Sequence, residues 1–360
     1  MGSVDVHEEV HHPGLDGVRG VAILLVLGQH APTRPLIDGF VGVTVFFCLS
    51  GYLITTVLVR QLHTGTIDVP AFYRRRAARL FPGLLAVVAV TVLVLLVDRP
   101  DLRAEQVLGP AGASVTYTTS LFDWSDHVFA TKDYFNFTWS LSVEEQFYLV
   151  WPFTLLWAYR RSRRSFAGLL VLLVGGCVIL DLYLGVSRRV QYDQHEYFGT
   201  DTNALPVLVG SLLAVVVLNE WLSGAVRNLA AWALPAVVLL PAVAARDDSY
   251  RPSLVIVAGT ALTLVTLTGV IAQPRSAAGS LLASAPLRWL GERSYSIYLW
   301  NVLARIATLH LLGHTAVGDI AWVAMFVVLA ELSFRLVERP LRTRLGGRSD
   351  SRLHPQLTPG

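Results

Sequence analysis

Charge is what this sequence has least of. Asp, Glu, Lys and Arg make up 15% of its 360 residues, against 53% hydrophobic residues and a mean hydropathy of +0.52, whereas soluble domains carry about 25% charged residues. That shortage excludes a soluble globular chain and leaves an integral membrane protein. Cysteine is also scarce. Cys48 and Cys177 each stand alone in an apolar run, so neither a disulfide framework nor a metal site is expected. The first thirteen residues, MGSVDVHEEVHHP, lack any basic side chain and cannot form the positive start of a secretory leader. Residues 1–14 are therefore expected to be a polar cytoplasmic N-terminus. The net charge of +3 is small and basic residues cluster in short connectors, a pattern that contact with anionic membrane lipids explains without any nucleic-acid partner.

Long hydrophobic runs fill the rest. A spanning helix needs about 20 mostly apolar residues, and ten stretches qualify: 15–32, 38–59, 81–97, 141–159, 166–186, 203–219, 228–245, 252–272, 294–312 and 318–336. The expected fold is an all-α polytopic membrane helix bundle of about ten transmembrane helices over 15–337. The stretch 105–122 is weaker, with Gly109, Pro110 and Gly112 among several hydroxyl residues, and is expected to fold without spanning. Counting it as an eleventh span would put Arg160, Arg161, Arg163 and Arg164 outside, against the positive-inside rule. Ten spans in the cell (plasma) membrane, both termini cytoplasmic, follow from that rule. This arrangement leaves long external connectors at 98–140 and 187–202 and a basic, unstructured tail at 338–360. No second domain and no internal repeat is visible.

The polar residues inside these runs carry the chemical information. In Leu15-Asp16-Gly17-Val18-Arg19-Gly20 and onward to His30, Arg19 and His30 are eleven residues apart, which places them on one helix face roughly 16 Å apart. Asp16 lies one turn before Arg19. One reading has Arg19 snorkelling to the interface, paired with Asp16, and His30 as an interfacial residue. The other has His30 accepting a hydroxyl proton while Arg19 grips a phosphate or a carbonyl oxygen.

Five stretches together resemble the acyltransferase-3 family of membrane O-acyltransferases: LDGVRGVAILLVLGQH at 15–30, GFVGVTVFFCLSGYLIT at 39–55, FYRRRAARLFP at 72–82, WSLSVEEQFYLVWP at 139–152 and GERSYSIYLWN at 291–301. The resemblance implies that His30 is the catalytic residue and Arg19 its essential partner. Where Thr44 stands, many relatives carry an acidic residue that could orient the histidine. Another group must then do so here. Asn301 stands where relatives often have a histidine, which argues against a second essential histidine at that position.

Arg74, Arg75, Arg76 and Arg79 form a basic run before the expected third span. They serve as topology anchors, and the resemblance implies that they also hold the phosphates of a coenzyme A donor, to which guanidinium forks are suited. Glu144 and Glu145 stand at the head of the fourth span, where carboxylates complement the helix dipole. One of them is also expected to pair with Arg19 or to orient an acceptor hydroxyl. Trp139, Ser142 and Tyr148 are expected to wall the acceptor site. Asp201 and Asn203, in a stretch where relatives often show an arginine, are expected to shape acceptor preference.

The expected function is transfer of a short acyl group from acyl-CoA, as co-substrate and without a metal, to a hydroxyl of a small molecule or carbohydrate. Relatives that modify envelope polysaccharides often carry an extra extracytoplasmic domain, which this chain lacks, so a macrolide-type antibiotic is the first expectation for the acceptor and envelope polysaccharide or lipid the second. A transporter lining its path with the same groups is the competing class, and its usual internal repeats are missing.

Overall fold

Residues 12–31, 39–121, 131–186, 197–221, 223–243 and 252–345 are described by the computed structural model. Residues 1–11 of the N-terminal segment, 122–130 and 187–196 of the two long connectors, and 346–360 of the tail lie outside them. Among the described residues every regular element is helical: α1 (Pro13–His30), α2 (Phe40–Thr64), α3 (Val69–Asp98), α4 (Ala104–Val115), α5 (Lys132–Phe135), α6 (Thr138–Thr154), α7 (Arg163–Val186), α8 (Ala204–Leu218), α9 (Ser223–Ala230), α10 (Ala233–Val243), α11 (Pro252–Ala272), α12 (Ala277–Leu282), α13 (Ala285–Leu312), α14 (Ala316–Ser333) and α15 (Arg339–Leu345). The fold is an all-α membrane bundle. Five helices are long and apolar enough to cross a bilayer by length and composition: α2, α3, α7, α11 and the continuous run Ala316–Arg342. The figure of ten spans remains a reading of the sequence. Apolar side chains on α3, α7 and α14 point outward, with Val97 84%, Leu172 75% and Ile320 72% exposed, as a hydrocarbon solvent requires.

Several boundaries differ from the sequence reading. α3 begins at Val69, with the Asp68 carboxylate accepting from the Ala71 N–H at 3.0 Å and a proline in the first turn. Its arginines therefore lie within the helix, and Pro82 is accommodated in its middle. Thirty residues reach about 45 Å, more than the roughly 30 Å hydrocarbon core, so a hydropathy window sees only the apolar part. α13 likewise starts at Ala285, before its apolar stretch. Residues 228–245 divide at Ala231–Trp232 into α9 and α10. Residues 339–345, assigned above to the tail, form α15.

The stretch 105–122 does not cross. α4 has 12 residues, about 18 Å, and is followed by Tyr117 in the left-handed region at φ 54° and a 3₁₀ turn at Thr119–Leu121. This connector folds onto α6 through Ser114–Thr138 (3.1 Å), Thr119–Ser142 (2.5 Å) and Gln146 Nε2 donating to the Tyr117 carbonyl (3.1 Å).

Several helix pairs meet backbone to backbone. A Cβ at Gly17, Gly20 or Gly291 would overlap the carbonyl oxygens of Leu282, Leu287 or Asp16, so these glycines let the N-terminal half of α1 lie against α12 and α13. Gly51 of α2 and Gly210 of α8 meet each other's helices in the same way, against the Val207 and Cys48 carbonyls. α6 runs parallel to α2, with Trp151 Nε1 donating to Thr55 at 2.8 Å, and antiparallel to α3, with Tyr73 donating to the Leu149 carbonyl at 2.7 Å. Four elements thus converge on the polar faces of α1 and α6.

Candidate active site

Near the N-terminal end of α1, Arg19 Nη1 donates to Asp16 Oδ1 at 2.9 Å. Asp16 is 6% exposed and sits in the first turn, where a carboxylate also meets the positive end of the helix dipole. Arg19 is therefore not partnered by a glutamate of α6, as one of the sequence alternatives had it. The close glycine contacts with α13 hold this ion pair in place.

The glutamates of α6 have other partners. Glu145 Oε1 accepts from Nε of Arg76 at 2.7 Å and lies 2.7 Å from its Nη2 in the same ion pair. Glu144 accepts from the hydroxyls of Ser50 and Tyr148, the latter at 3.3 Å. Tyr148 ties the two pairs together, because the Arg76 guanidinium lies 3.1 Å from its ring centroid. Pro152 has no N–H for the Tyr148 carbonyl one turn back. The Tyr73 hydroxyl approaches that carbonyl at 3.4 Å and caps the next one more closely. Just beyond, the helix widens into a π turn at Leu155–Tyr159.

Arg79 lies one turn further along α3 than Arg76. The charges of Arg19, Arg76 and Arg342 all act on it, its side chain stays exposed, and among the described residues it makes no hydrogen bond or ion pair. Arg74 and Arg75 likewise make none. The basic run thus divides into Arg76, which is bound to Glu145, and Arg79, which is gathered among other cations.

The C-terminal end of α1 carries His30, half-buried, with Nδ1 2.8 Å from the Val26 carbonyl. A carbonyl can only accept, so Nδ1 carries the hydrogen, and in the neutral form of the ring the lone pair lies on Nε2. Thr44 does not orient the ring. Its hydroxyl donates to Phe40 of its own helix at 3.1 Å. The orienting group is a backbone carbonyl, which no side-chain pattern announces.

Next to this end lies an aromatic cluster. Gly39 packs on Val26 and Gln29 of α1, and the adjacent Phe40 stacks on Trp139 at 6.1 Å, with Phe47, Tyr197 and Phe198 around the indole at 5.4 to 6.1 Å. Asn203, fully buried, donates its amide to the carbonyls of Tyr197 (3.0 Å) and Gly199 (2.8 Å), so it shapes the turn that presents Tyr197 and Phe198. Asp201 is exposed beside it. The Ser142 hydroxyl is held by Thr119 and by the Thr138 carbonyl, inside the seam between α6 and the connector. Ser140 and Tyr298 share a hydrogen bond, and Tyr298 also donates to the Phe137 carbonyl at 2.7 Å.

Sequence reasoning missed Ser50, Tyr73, Glu338 and Arg342. Ser50 meets Glu144 across 94 residues of sequence, and only the family stretch around it gave any signal. Glu338 ends a π turn at Phe334–Glu338, is 7% exposed, and accepts from Ser296 (2.7 Å) and Ser333 (2.8 Å). Among the described residues no group of three or more His, Cys, Asp or Glu side chains could hold a metal.

The arrangement places an imidazole at one end of α1 and the Asp16–Arg19 ion pair towards the other, with Glu144, Glu145, Tyr148 and Arg76 joined in a separate polar cluster on α6 and α3. That polarity suits a donor that is anionic at one end and reactive at the other. A family profile described as "Acyltransferase domain" matches residues 12–334. The chain is 34% identical to the putative peptidoglycan O-acetyltransferase YrhL of Bacillus subtilis, over 96% of its own length and 57% of that protein. It is 31% identical to the peptidoglycan O-acetyltransferase OatA of Listeria monocytogenes (92% and 56%) and 28% identical to the O-acetyltransferase OatA of Staphylococcus aureus (92% and 57%). It therefore spans little more than half the length of these relatives. No solved structure matches it.

Proposed function

This chain belongs to the acyltransferase-3 family, and from that premise we propose that it transfers an acetyl group from acetyl coenzyme A to a hydroxyl of a cell-envelope polysaccharide, with His30 as general base. The relatives named for peptidoglycan support this acceptor over the macrolide-type antibiotic that the compact sequence first suggested. The observation that carries the reading is the fixed imidazole. The Val26 carbonyl accepts from Nδ1, and in that neutral tautomer the ring's lone pair, the basic position of an imidazole, lies on Nε2.

In the proposed reaction the acceptor hydroxyl gives its proton to His30 Nε2 as its oxygen attacks the thioester carbonyl carbon. The C–S bond then breaks, the thiolate takes the proton from the imidazolium, and the products are the O-acetyl ester and free coenzyme A. Arg76, Arg79 and Arg19 are the cations suited to the donor's phosphates. Glu145 holds Arg76 in place. Trp139 and its aromatic neighbours offer a flat surface beside His30 against which a sugar ring can lie. Donor entry from the cytoplasm and acceptor entry from outside follow from the topology proposed here, with both termini cytoplasmic.

The test is release of free thiol by the purified protein given acetyl coenzyme A and either peptidoglycan fragments or a macrolide. Glycan-dependent release that disappears in His30→Ala, with the fold intact, is the expected result. Full turnover by His30→Ala would remove the catalytic assignment, and release only with the macrolide would restore the first acceptor. In the variant lacking Cys48 and Cys177, an impermeant thiol reagent applied to intact cells should label Asp98→Cys and spare Thr64→Cys. The reverse pattern would invert the topology.

A further inference from the structure

A cleft of about 550 Å³ opens where α7 begins and α8 ends, a volume within the roughly 300–1,000 Å³ of small-ligand sites. None of its lining residues belongs to the site described above. The start of α7 supplies Ser162, Arg163 and Arg164, and the end of α8 supplies Asn219, Glu220 and Trp221.

α8 closes through a left-handed residue. Glu220 has φ 56°, its N–H reaches the Val217 carbonyl at 3.1 Å, and the Trp221 N–H reaches the Val216 carbonyl at 3.0 Å. Glycine or asparagine takes such a position at least cost, so this carboxylate stands there against the local backbone preference. Arg163 is held from two sides. Its guanidinium lies over the Tyr159 ring, 5.7 Å from the centroid, and Nη1 donates to Asn219 Oδ1 at 3.3 Å, while Asn219 Nδ2 donates to the Tyr159 hydroxyl at 3.2 Å. Arg164 and Glu220 are exposed and make no side-chain hydrogen bond or ion pair among the described residues. Two cations and a carboxylate thus line one cleft without pairing with each other.

The depth of the cleft indicates where its ligand comes from. Exposed apolar side chains begin on α7 at Leu169, six residues or about 9 Å past Arg163, and Trp157 is 71% exposed in the π turn that precedes α7. Tryptophan collects where hydrocarbon meets the lipid headgroups, so the cleft sits at the headgroup layer. A purely anionic headgroup would satisfy the arginines and be repelled by Glu220. A headgroup of both signs satisfies all three, with a phosphate for the guanidinium forks and an ammonium, which donates three hydrogen bonds, for the carboxylate. The indole of Trp221 offers the ammonium a further attractive face.

We propose that this cleft binds a phospholipid whose headgroup bears a primary ammonium, with its phosphate at Arg163 and Arg164 and its ammonium at Glu220 and Trp221. A quaternary ammonium has no hydrogen to donate, and a glycerol headgroup has no positive charge, so both fit less well. The inference stands apart from acetyl transfer, and binding is its readout.

Native mass spectrometry of the purified full chain, titrated in detergent with dioleoyl phosphatidylethanolamine, phosphatidylcholine or phosphatidylglycerol, tests it. One copy of the ethanolamine lipid should bind more tightly than the other two. Arg164→Gln should weaken the ethanolamine and choline lipids alike, by about fivefold for an exposed ion pair. Glu220→Gln should bring the ethanolamine lipid down to the level of the choline lipid and strengthen phosphatidylglycerol. Glu220→Asn, which suits the left-handed position better, should do the same, showing that charge and not the shape of the turn is responsible. Equal affinity for the three lipids in the wild type, or an ethanolamine preference that survives both Glu220 variants, would overturn the proposal. So would glycerophosphoethanolamine, the headgroup without acyl chains, competing as well as the whole lipid, because the occupant would then be a soluble molecule.

Discussion

Replacing Glu145 with glutamine removes one charge and almost no volume, and the structure sizes its effect. Arg76 donates Nε to one oxygen of Glu145 at 2.7 Å and holds Nη2 2.7 Å from the same oxygen, with the two side chains 16% and 19% exposed. Ion pairs on a surface contribute about 0–1 kcal/mol, whereas removing one partner of a fully buried pair costs about 3–5 kcal/mol. This pair lies between those limits. After the substitution Arg76 keeps the Tyr148 ring at 3.1 Å and the field of Glu144, which offset part of the loss. A destabilisation of about 2 kcal/mol is therefore expected. Reversible unfolding in mixed micelles, followed by circular dichroism for wild type, Glu145→Gln, Arg76→Gln and the double variant, measures the coupling directly. A coupling energy below about 0.5 kcal/mol would show that the two side chains are neighbours without being partners.

Three further outcomes follow from particular contacts. Gly291→Ala should destabilise by about 1–3 kcal/mol, because its methyl group meets the Asp16 carbonyl and forces α1 from α13. Gly176→Ala on α7, where nothing lies within 4 Å, should be neutral or slightly stabilising, and thermal unfolding of both proteins separates the cases. Trp151→Phe leaves the Thr55 hydroxyl without the indole donor and should lower stability by about 1 kcal/mol with turnover retained, as a thermal scan beside the thiol assay would register. Asn203→Ala leaves the Tyr197 and Gly199 carbonyls unmatched and should cost about 1–3 kcal/mol. The same variant should redshift tryptophan emission as the rings around Trp139 loosen, and an unchanged spectrum would count against that role.

The helical character and the span of residues holding the site were legible because hydrophobic run length is itself the folding requirement in a bilayer. The pairing of Asp16 with Arg19 was legible for a related reason, since a one-turn separation fixes neighbours without tertiary knowledge. What escaped the sequence depends on distant or backbone partners. Ser50 and Glu144 come together only through the parallel packing of α2 and α6. The His30 acceptor is a main-chain carbonyl, present at every helical position and therefore silent. Arg74 to Arg79 were placed before a span because their charge ended the apolar window, although Asp68 had already started the helix. Arg342 looked like part of a basic tail because nothing in the local composition marks a helix that changes register at a π turn.

One uninterrupted helix holds both Arg19 and His30, and this turns α1 into a measuring rod. Their separation is set by the rise of the backbone and not by how neighbouring helices settle, so thermal motion of the bundle can tilt the rod but hardly alter its length. Adding one residue between them would swing the imidazole by about 100° away from its partner's face. Only steps of about a full turn keep both on one side. Under the reaction proposed above, the reach demanded of a donor that spans both residues could therefore change only in increments of about a turn, a quantised tolerance written into eleven positions.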